Sequence, residues 1–514
     1  MKAILLPFVL LSFSLSANVY YVSPDGSDAN PGTESQPFRY IQRAADRTAP
    51  GDTVYVMGGT YTKYQHAGAT ISIHRSGDPD AYIVFKAYPG DTPKIISPTW
   101  NAFDIRDGVS HIEINGFEIE GQPHAMSDSS GNGIFCSGGA HHIRILNNHV
   151  HHVPGGGIGS NGCDYIHIEG NIVHHTSFYS GYQNSGISLY ENINIDEEPG
   201  YHNIIRNNIS YANENRRLPL WGGNQVTDGN GIIIDDFRNQ QNNSREPYTG
   251  STLIENNIVF DNGGRGIHCY LSDHVVIVNN TLYKNSRSAD ISDGELTAMQ
   301  SSDIIFMNNI VYAAQSGSRG NKTWQAANTL YDYNLYYNNR ALSVRGDHDI
   351  IDADPRFVTA STDPETANFH LQQDSPAINA GSLQYAPETD FNGGSRVIAG
   401  KIDLGALESL YHTSIKDSRK STLNAVLANH PNPFNVSTTI SFTIPNTDIV
   451  SLVVYDSCGK SVRTLFHELV SAGQHKISWR GLDKYASPLP SGIYFIHLKT
   501  ASGYRFVKKA VLVK

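Results

Sequence analysis

The sequence predicts an all-β chain: a parallel β-helix followed by a small β-sandwich. Three observations carry this. First, a short strand–turn–strand unit recurs through the middle: IRILNNHVHH (143–152), IHIEGNIVHH (166–175), IIRNNISYA (204–212), LIENNIVFD (253–261), VIVNNTLYK (276–284) and IIFMNNIVYA (304–313). Second, the composition is glycine-rich and charge-poor, with 46 Gly, 28 Tyr, 19 Phe and 17% charged residues in 514. Average usage is about 25% charged. Third, the last stretch carries short alternating strands at regular spacing with a different pattern.

The repeat justifies the coils. Aligned on the second turn residue, the units place Asn148, Asn171, Asn208, Asn257, Asn280 and Asn309 at intervals of 23, 37, 49, 23 and 29. A minimum step of 23 with larger excursions describes one coil plus variable loops. Asn at a turn tolerates the left-handed conformation, and stacked Asn side chains form amide ladders. Three residues further on come His151, His174, Tyr211, Phe260, Tyr283 and Tyr312, an aromatic stack along the solenoid. A second strand follows each turn, opened by Gly: GIFCS (133–137), GIGSN (157–161), GISLYE (186–191), GIIIDD (231–236) and GIHCY (266–270).

The ends are read separately. Residues 1–17 hold one positive charge, an apolar run and a small-residue end, the pattern of a secretory signal peptide rather than a membrane anchor. The cap comprises YYVSPDGSDANPGT and a helix in PFRYIQRAADRTA, with Phe38, Ile41, Ala44 and Ala45 on one face, before GDTVYVMGGTY (51–61) starts the coils. FHLQQDSPAINAG (369–381) and GKIDLGALE (400–408) are expected as the final coils. The β-helix with its cap therefore spans 18–410, a polar linker 411–424, and a sandwich of short strands 425–514. Cys136, Cys163, Cys269 and Cys458 are too few and scattered for a disulfide scaffold and are expected as free thiols.

Charge narrows the partner class. With 38 Lys+Arg against 49 Asp+Glu the net charge is −11, which argues against nucleic acid, whose phosphates want a basic face. The acidity concentrates in DGNGIIIDDFRN (228–239). Asp235 and Asp236 stand four and five residues after Gly231, and Glu191 stands five after Gly186 on the preceding coil. Adjacent coils lie about 4.8 Å apart, so Glu191 and Asp236 are expected as neighbours, with Asp228 on the feeding turn. Such carboxylates repel unless protons or a cation intervene, and hard oxygen ligands suit Ca²⁺; a solvated acidic edge or a turn-capping Asp is the alternative. On the next coil, Arg265 and His268 flank and enter the strand opened by Gly266. Arg238, Lys284 and Arg287 lie on flanking loops, where positive groups suit an anionic sugar. Tyr190 and Trp221 are candidate walls of a sugar groove. The eight histidines from His141 to His175 are read as a stack rather than a metal site, because His151 and His152 repeat as His174 and His175.

With these motifs in place, the region 18–410 resembles right-handed parallel β-helix proteins of the extracellular carbohydrate-active kind. More narrowly it resembles the polysaccharide lyase family nine group of pectate-lyase-like enzymes, through the export signal, the Asn-turn coils and the paired Asp after a DGNG turn. The resemblance implies Ca²⁺ at Asp235 and Asp236, and extends to Asp228 and Glu191. In that family a lysine from a later coil removes the proton. No lysine occurs between Lys94 and Lys284, and Lys284 falls on a turn rather than a strand, so Arg265 or His268 would have to serve as the base, or the reaction is different; Arg238 and Lys284 complete the catalytic candidates. The implied activity is calcium-assisted β-elimination on a uronate-containing, pectate-like polysaccharide, by a monomer. The alternatives are a polygalacturonase-type glycoside hydrolase using paired carboxylates, and a non-catalytic surface carbohydrate-binding protein. At the other end, PNPFN (431–435), GKSVRTL (459–465), SGIYF (491–495) and a basic last strand resemble the Ig-like C-terminal sorting domains of type nine secretion. That resemblance implies export through the outer-membrane secretion machinery to the medium or the cell surface.

Overall fold

The computed structural model describes residues 17–62, 68–121, 131–243, 245–314, 319–338 and 341–409 of a first region. In a second region it describes 427–435, 437–444, 448–455, 461–471, 473–483, 488–500 and 505–513. The signal-peptide residues 1–16, the linker 411–424 and Cys458 lie outside the described residues. The chain divides into two compact units, 1–391 with 400–409 and 392–399 with 410–514.

Among the described residues, the first unit is built from three parallel sheets of 11, 10 and 11 strands that the chain visits in rotation. Crossovers between parallel strands of one sheet take the right-handed sense, giving a right-handed parallel β-helix. Register is kept from coil to coil. In the ten-stranded sheet Ile134 pairs with Ile158, Ile158 with Ile187, Ile187 with Ile232 and Ile232 with Ile267. This column points inward and is fully buried; each such side chain contributes about 1.5–3 kcal/mol relative to exposure.

The turns divide their labour between two positions. The first residue takes the left-handed conformation, with φ of 55° at Asn147, 56° at Asn207 and 55° at Asn256. The second builds the ladder. The Asn171 side-chain amide donates to Asn208 Oδ1 at 3.0 Å, and Asn208 donates to Asn257 Oδ1 at 3.0 Å. The ladder continues through Asn280 and Asn309 to Asn334, one coil beyond the aligned set. The strand-opening glycines answer a different need: a Cβ on Gly157 would lie 2.3 Å from Val173 Cγ1, and one on Gly231 2.2 Å from Val259 Cγ1. The neighbouring sheet's core side chains occupy that space.

The expected aromatic stack forms from His151 to Phe260; beyond it Tyr283 stands edge-on to Tyr312 at 68° and packs against Phe369. His151 lies over His174 at 5.2 Å and 7°, and His152 over His175 at 5.1 Å and 10°. Tyr211 follows on His174 at 4.6 Å and Phe260 on Tyr211 at 4.8 Å. Burial, then the neighbouring rings, push His174 down to about 2, so it is neutral.

Helix Ile41–Ala45 buries Ile41, Ala44 and Ala45 as expected, whereas Phe38, expected on the same face, precedes the helix and is buried as a bridge partner of Val22. It covers the first strand of the ten-stranded sheet, Ala69–Ile73: Gln42 Nε2 donates to Ser72 O at 2.9 Å and its Oε1 accepts from Ser72 N at 2.7 Å. Side-chain amide thus substitutes for a strand at an edge that would otherwise be open. The segment VYYV before the helix already belongs to the solenoid, since Val19–Val22 pairs in parallel with Thr53–Val56.

The other end departs from expectation. Residues 369–381 and 400–408 are not coils. Asn368–Leu371 pairs antiparallel with Phe357–Thr359. Phe369, Leu371, Leu404 and Leu407 pack instead on the aromatic stack. Asn279 tethers this tail by donating to Asp403 O at 3.0 Å. The tail lacks a second turn Asn, so it cannot extend the ladder and folds back to cover apolar rings.

The second unit is a small Ig-like β-sandwich. A three-stranded antiparallel sheet (Leu427–His430, Thr438–Ile444, Gly473–Trp479) accompanies a four-stranded one (Ser461–Val470, Asp448–Tyr455, Gly492–Thr500, Arg505–Leu512). Its core contains Phe434, Leu452, Trp479, Tyr494 and Ile496. Among the described residues no helix is long and apolar enough to cross a membrane.

Candidate active site

The ten-stranded sheet has an outward face, and its alternation fixes which residues reach it. Outward from Ile232–Asp235 point Ile233 and Asp235, and outward from Ile267–Tyr270 point His268 and Tyr270. Two columns result. One runs Phe135, Gly159, Ser188, Ile233, His268, Thr297, Lys322. The other runs Asn161, Tyr190, Asp235, Tyr270, Met299, Trp324. From Phe135 to His268 and from Asn161 to Met299 they floor a groove of about 590 Å³. The long excursions supply one wall with Tyr182, Trp221 and Asp228, and Gln241 comes from the opposite side.

Of the sequence-predicted residues, Tyr190, Trp221, Asp228, Asp235, Arg265 and His268 line this groove. Asp235 is bonded by Gln241 Nε2 at 2.9 Å. Burial, and then the Asp228 charge, push its carboxyl well above the ordinary value. Asp228 accepts from Asn230 Nδ2 and Thr227 Oγ1, both at 2.7 Å, and burial raises it while Arg265 opposes. His268 is buried, with Nδ1 2.6 Å from Thr297 Oγ1. Burial and the nearby Arg265 hold it well below its ordinary value, so the ring is neutral at pH 7. Arg265 donates from Nη1 to Thr227 O at 2.6 Å and pairs with Asp293, which also pairs with Lys322. Burial pushes Asp293 up, but Arg265 and Lys322 prevail and hold it below its usual range.

The expected cluster of four carboxylates does not assemble in the groove. Glu191 and Asp236 are coil neighbours as expected, Glu191 N donating to Asp235 O, but both sit on left-handed turn residues, with φ of 47° and 50°. Their side chains hold the loop that follows. Asp236 accepts from Gln240 N at 2.8 Å and Gln241 N at 2.7 Å; Glu191 accepts from Asn242 Nδ2 at 2.7 Å and Arg245 Nη1 at 3.3 Å. Among the described residues no group of three His, Cys, Asp or Glu side chains is arranged to hold a metal. Two carboxylates therefore face the groove. As oxygen donors that repel each other they suit one face of a Ca²⁺ shell of 6–8 ligands, and they do not make an all-protein cage.

Three basic residues are also elsewhere. Arg238 donates to Asp273 from Nε at 2.8 Å and to Ser302 from Nη2 at 2.6 Å, locking three coils behind the turn. Lys284 lies over the rings of Tyr283 and Tyr312 at 5.0 and 5.8 Å, on the aromatic stack. Arg287 pairs with Asp261 at 3.3 Å and Glu214 at 3.6 Å. Each was placed near the site by loop position in sequence, and each is consumed by a local carboxylate or ring.

Sequence reasoning missed Lys322, Asp293, Thr297 and Trp100. Lys322 had a signal: it stands two residues after Gly320 as His268 stands two after Gly266. The register was obscured because Glu295 replaces glycine on the intervening coil. Cys136, Cys163 and Cys269 are buried free thiols.

Comparison with known proteins adds a family context. The family described as Pel9A-like, right handed beta helix region matches residues 20–213, and the FlgD Ig-like domain family matches 433–503. The uncharacterized protein YwoF of Bacillus subtilis is 25% identical over 372 residues, 68% of this chain and 75% of that one. Pectate lyase PEL9 of Emericella nidulans is 44% identical over 78 residues, 15% of this chain and 18% of that one. Among solved structures, a rhamnogalacturonan lyase aligns with TM-score 0.46 at 17% identity, covering 67% of this chain and 91% of that chain. The pectate lyase Pel9A also aligns with TM-score 0.46, at 19% identity, covering 77% and 98%. The family match ends at residue 213, before Asp228, Asp235, Arg265 and His268. Residues 20–213 thus carry a Pel9A-like right-handed β-helix, and residues 433–503 an Ig-like domain.

Proposed function

We propose that the protein is a secreted polysaccharide-degrading enzyme, a calcium-assisted lyase that cleaves a uronate-containing polysaccharide by β-elimination. The observation that carries this reading is one groove holding a repelling carboxylate pair, Asp228 and Asp235, beside Arg265 and a neutral His268. The likeness to pectate lyase PEL9 and to the Pel9A-like family supports the substrate class.

Arg265 lines the groove and is held by Thr227 O and Asp293, so its guanidinium has little ordering left to lose on meeting a uronate carboxylate. That contact makes the adjacent C–H more acidic. His268 Nδ1 lies against Thr297 Oγ1; in the tautomer in which Nδ1–H is the donor, Nε2 is unprotonated and takes the proton. The electron pair then forms the C=C bond as the glycosidic oxygen leaves. Lys322 balances Asp293 and keeps it from neutralising Arg265 fully. Asp228 and Asp235 would hold the calcium, which when bound supplies positive charge to the developing enolate. Export through residues 1–17 and outer-membrane sorting through 425–514 belong to the same reading, supported by the motifs at the two ends.

One observation favours a second reading. Asp228 and Asp235 share the groove and both are raised above ordinary carboxylates, as an acid of a glycoside hydrolase would be. Product analysis on a panel of pectins, alginate and other uronate polymers separates the two. A lyase gives an unsaturated, ultraviolet-absorbing end and loses activity with a chelator. Reducing ends without that absorbance overturn the lyase reading.

A further inference from the structure

A second cleft lies on another sheet of the solenoid, the eleven-stranded one in which Asp164–Glu169, Tyr201–Arg206 and Ser251–Glu255 are neighbours. It has a volume of about 410 Å³ and shares no lining residue with the active groove. Strand register sets its floor: Glu169 stands beside Arg206 and Arg206 beside Glu255, with Leu253 on the same strand as Glu255 and Tyr201 opening the middle strand. The facing wall is the segment 385–389 of the folded-back tail. First-turn asparagines, which the ladder of second-turn residues does not use, pin that tail. Asn256 Nδ2 donates to Thr389 O at 2.8 Å, and Asn308 Nδ2 to Ser382 O at 2.9 Å. The wall is therefore fixed to the coils it faces.

The lining offers both rings and pre-oriented polar groups. Tyr201 from the floor and Tyr385 from the wall are each 39% exposed. Tyr385 is presented at φ of 60°, a conformation that costs a bulky side chain energy. Burial, then Tyr385 and Glu255, raise the Tyr201 hydroxyl, so it remains a donor. Arg206 Nε donates to Glu169 Oε2 at 3.0 Å, and its Nη1 lies 3.8 Å from Glu255 Oε1. Among the described lining residues Arg206 is the only cation, against Glu169, Glu255 and Glu388.

Resting on the polysaccharide-degrading reading but not on the lyase chemistry, we propose that this cleft is a second, non-catalytic site that binds an uncharged polysaccharide and holds the enzyme on it while the groove acts. A tyrosine gives a sugar an apolar ring for its C–H face and a polar tip for its hydroxyls. Fixed carboxylates accept from further hydroxyls, and Arg206 donates to them. A uronate is selected against, because its carboxylate would meet three others where the one guanidinium is already paired. A cationic ligand gains little: Glu169 and Glu255 are committed to Arg206, and Glu388 is exposed, where ion pairing is weak.

The test is retardation of the full chain in native gels containing soluble galactan, arabinan or hydroxyethyl cellulose. Two charged probes, polygalacturonate with a chelator present and chitosan oligomers, are titrated alongside by calorimetry. At least one uncharged polymer should retard the protein. Tyr201→Ala combined with Tyr385→Ala should weaken that binding about tenfold or more and leave kcat/KM on soluble polygalacturonate unchanged. Ala386→Trp, which fills the cleft from its wall and keeps both rings, should do the same. Absence of retardation by every uncharged polymer overturns the proposal, as does retardation that both variants retain. If the variants instead lose binding of polygalacturonate or of chitosan oligomers, the ligand is anionic or cationic and the proposal falls. Turnover of polygalacturonate without uncharged-polymer binding removes the site and leaves the lyase reading standing. Uncharged-polymer binding that the variants abolish, with no turnover of any uronate polymer, does the reverse.

Discussion

His268 Nδ1 lies 2.6 Å from Thr297 Oγ1, its partner on the next strand of the groove floor. The contact fixes the ring and, with Nδ1 as donor, the tautomer that exposes a basic Nε2. His268→Ala is expected to lower kcat by roughly 10²–10⁴. Thr297→Val, which keeps shape and removes the acceptor, should lower kcat about tenfold with KM nearly unchanged. Because burial holds His268 well below its ordinary value, the ring stays neutral as pH falls through 6.5. The acidic limb of the kcat profile should therefore lie below pH 6.5; a limb at 6.5 that moves in Thr297→Val would contradict this.

Asp235 is held in the groove against its own electrostatics. Its folded pKa is raised by burial and by Asp228, so relative to the unfolded chain it favours folding only while protonated. That stability is present below the ordinary carboxylate range and lost as pH rises. Asp235→Asn keeps an acceptor for Gln241 Nε2 and removes the charge. It should raise the Tm at pH 7, with the difference shrinking toward pH 4, and abolish turnover. Ca²⁺ at 100 times its Kd should stabilise the parent by about 2.7 kcal/mol, and the variant by far less. A variant that is both active and no more stable would show that Asp235 is an ordinary surface carboxylate.

How much of this was legible depended on what a side chain answers to. The coils were readable because Asn208 and its equivalents repeat one backbone requirement, and the paired Asp because alternation along Ile232–Asp235 sends Asp235 outward. Asp236 could not be separated from Asp235 in sequence, since only the left-handed turn at φ 50° rotates it away from the groove. Arg238, Lys284 and Arg287 sat near the site in sequence but are bound by Asp273, two tyrosine rings and Asp261, partners that a linear spacing does not reveal. Residues 369–381 and 400–408 were misread as coils because their short apolar runs resemble coil strands when the missing turn Asn is overlooked.

The Asn ladder gives a prediction about stability. Asn208 Oδ1 accepts from Asn171 N and Nδ2, while its own amide donates to Ile168 O and Asn257 Oδ1. Asn208→Ala leaves several buried groups unpaired at about 1–3 kcal/mol each, so a loss of about 3 kcal/mol or more is expected in denaturant unfolding. Asn207→Gly, on the preceding left-handed turn residue, should stay within about 1 kcal/mol, because glycine accepts positive φ. Equal costs at the two positions would show that the second turn residue has no special role.

A second, shorter ladder ends differently and yields a pH dependence. Asn213 donates to Asn262 Oδ1 at 2.9 Å, Asn262 to Asn285 Oδ1 at 2.7 Å, and Asn285 to Glu295 Oε2 at 2.6 Å, with Asn285 N on Glu295 Oε1. Glu295 occupies the position where Gly266 opens the previous strand, and burial pushes it up to about 8 from its ordinary 4.5. A raised acid favours the folded state while it is protonated. Its contribution is fully present below pH 4.5 and lost as pH rises to about 8. Stability of the first unit should therefore decline across that window, and Glu295→Gln, which cannot ionise, should flatten this part of the curve. The measurement is the urea midpoint at pH 5, 6, 7 and 8 for both proteins. Parallel curves would show that Glu295 keeps its charge when buried, stabilised by the two Asn285 donors alone.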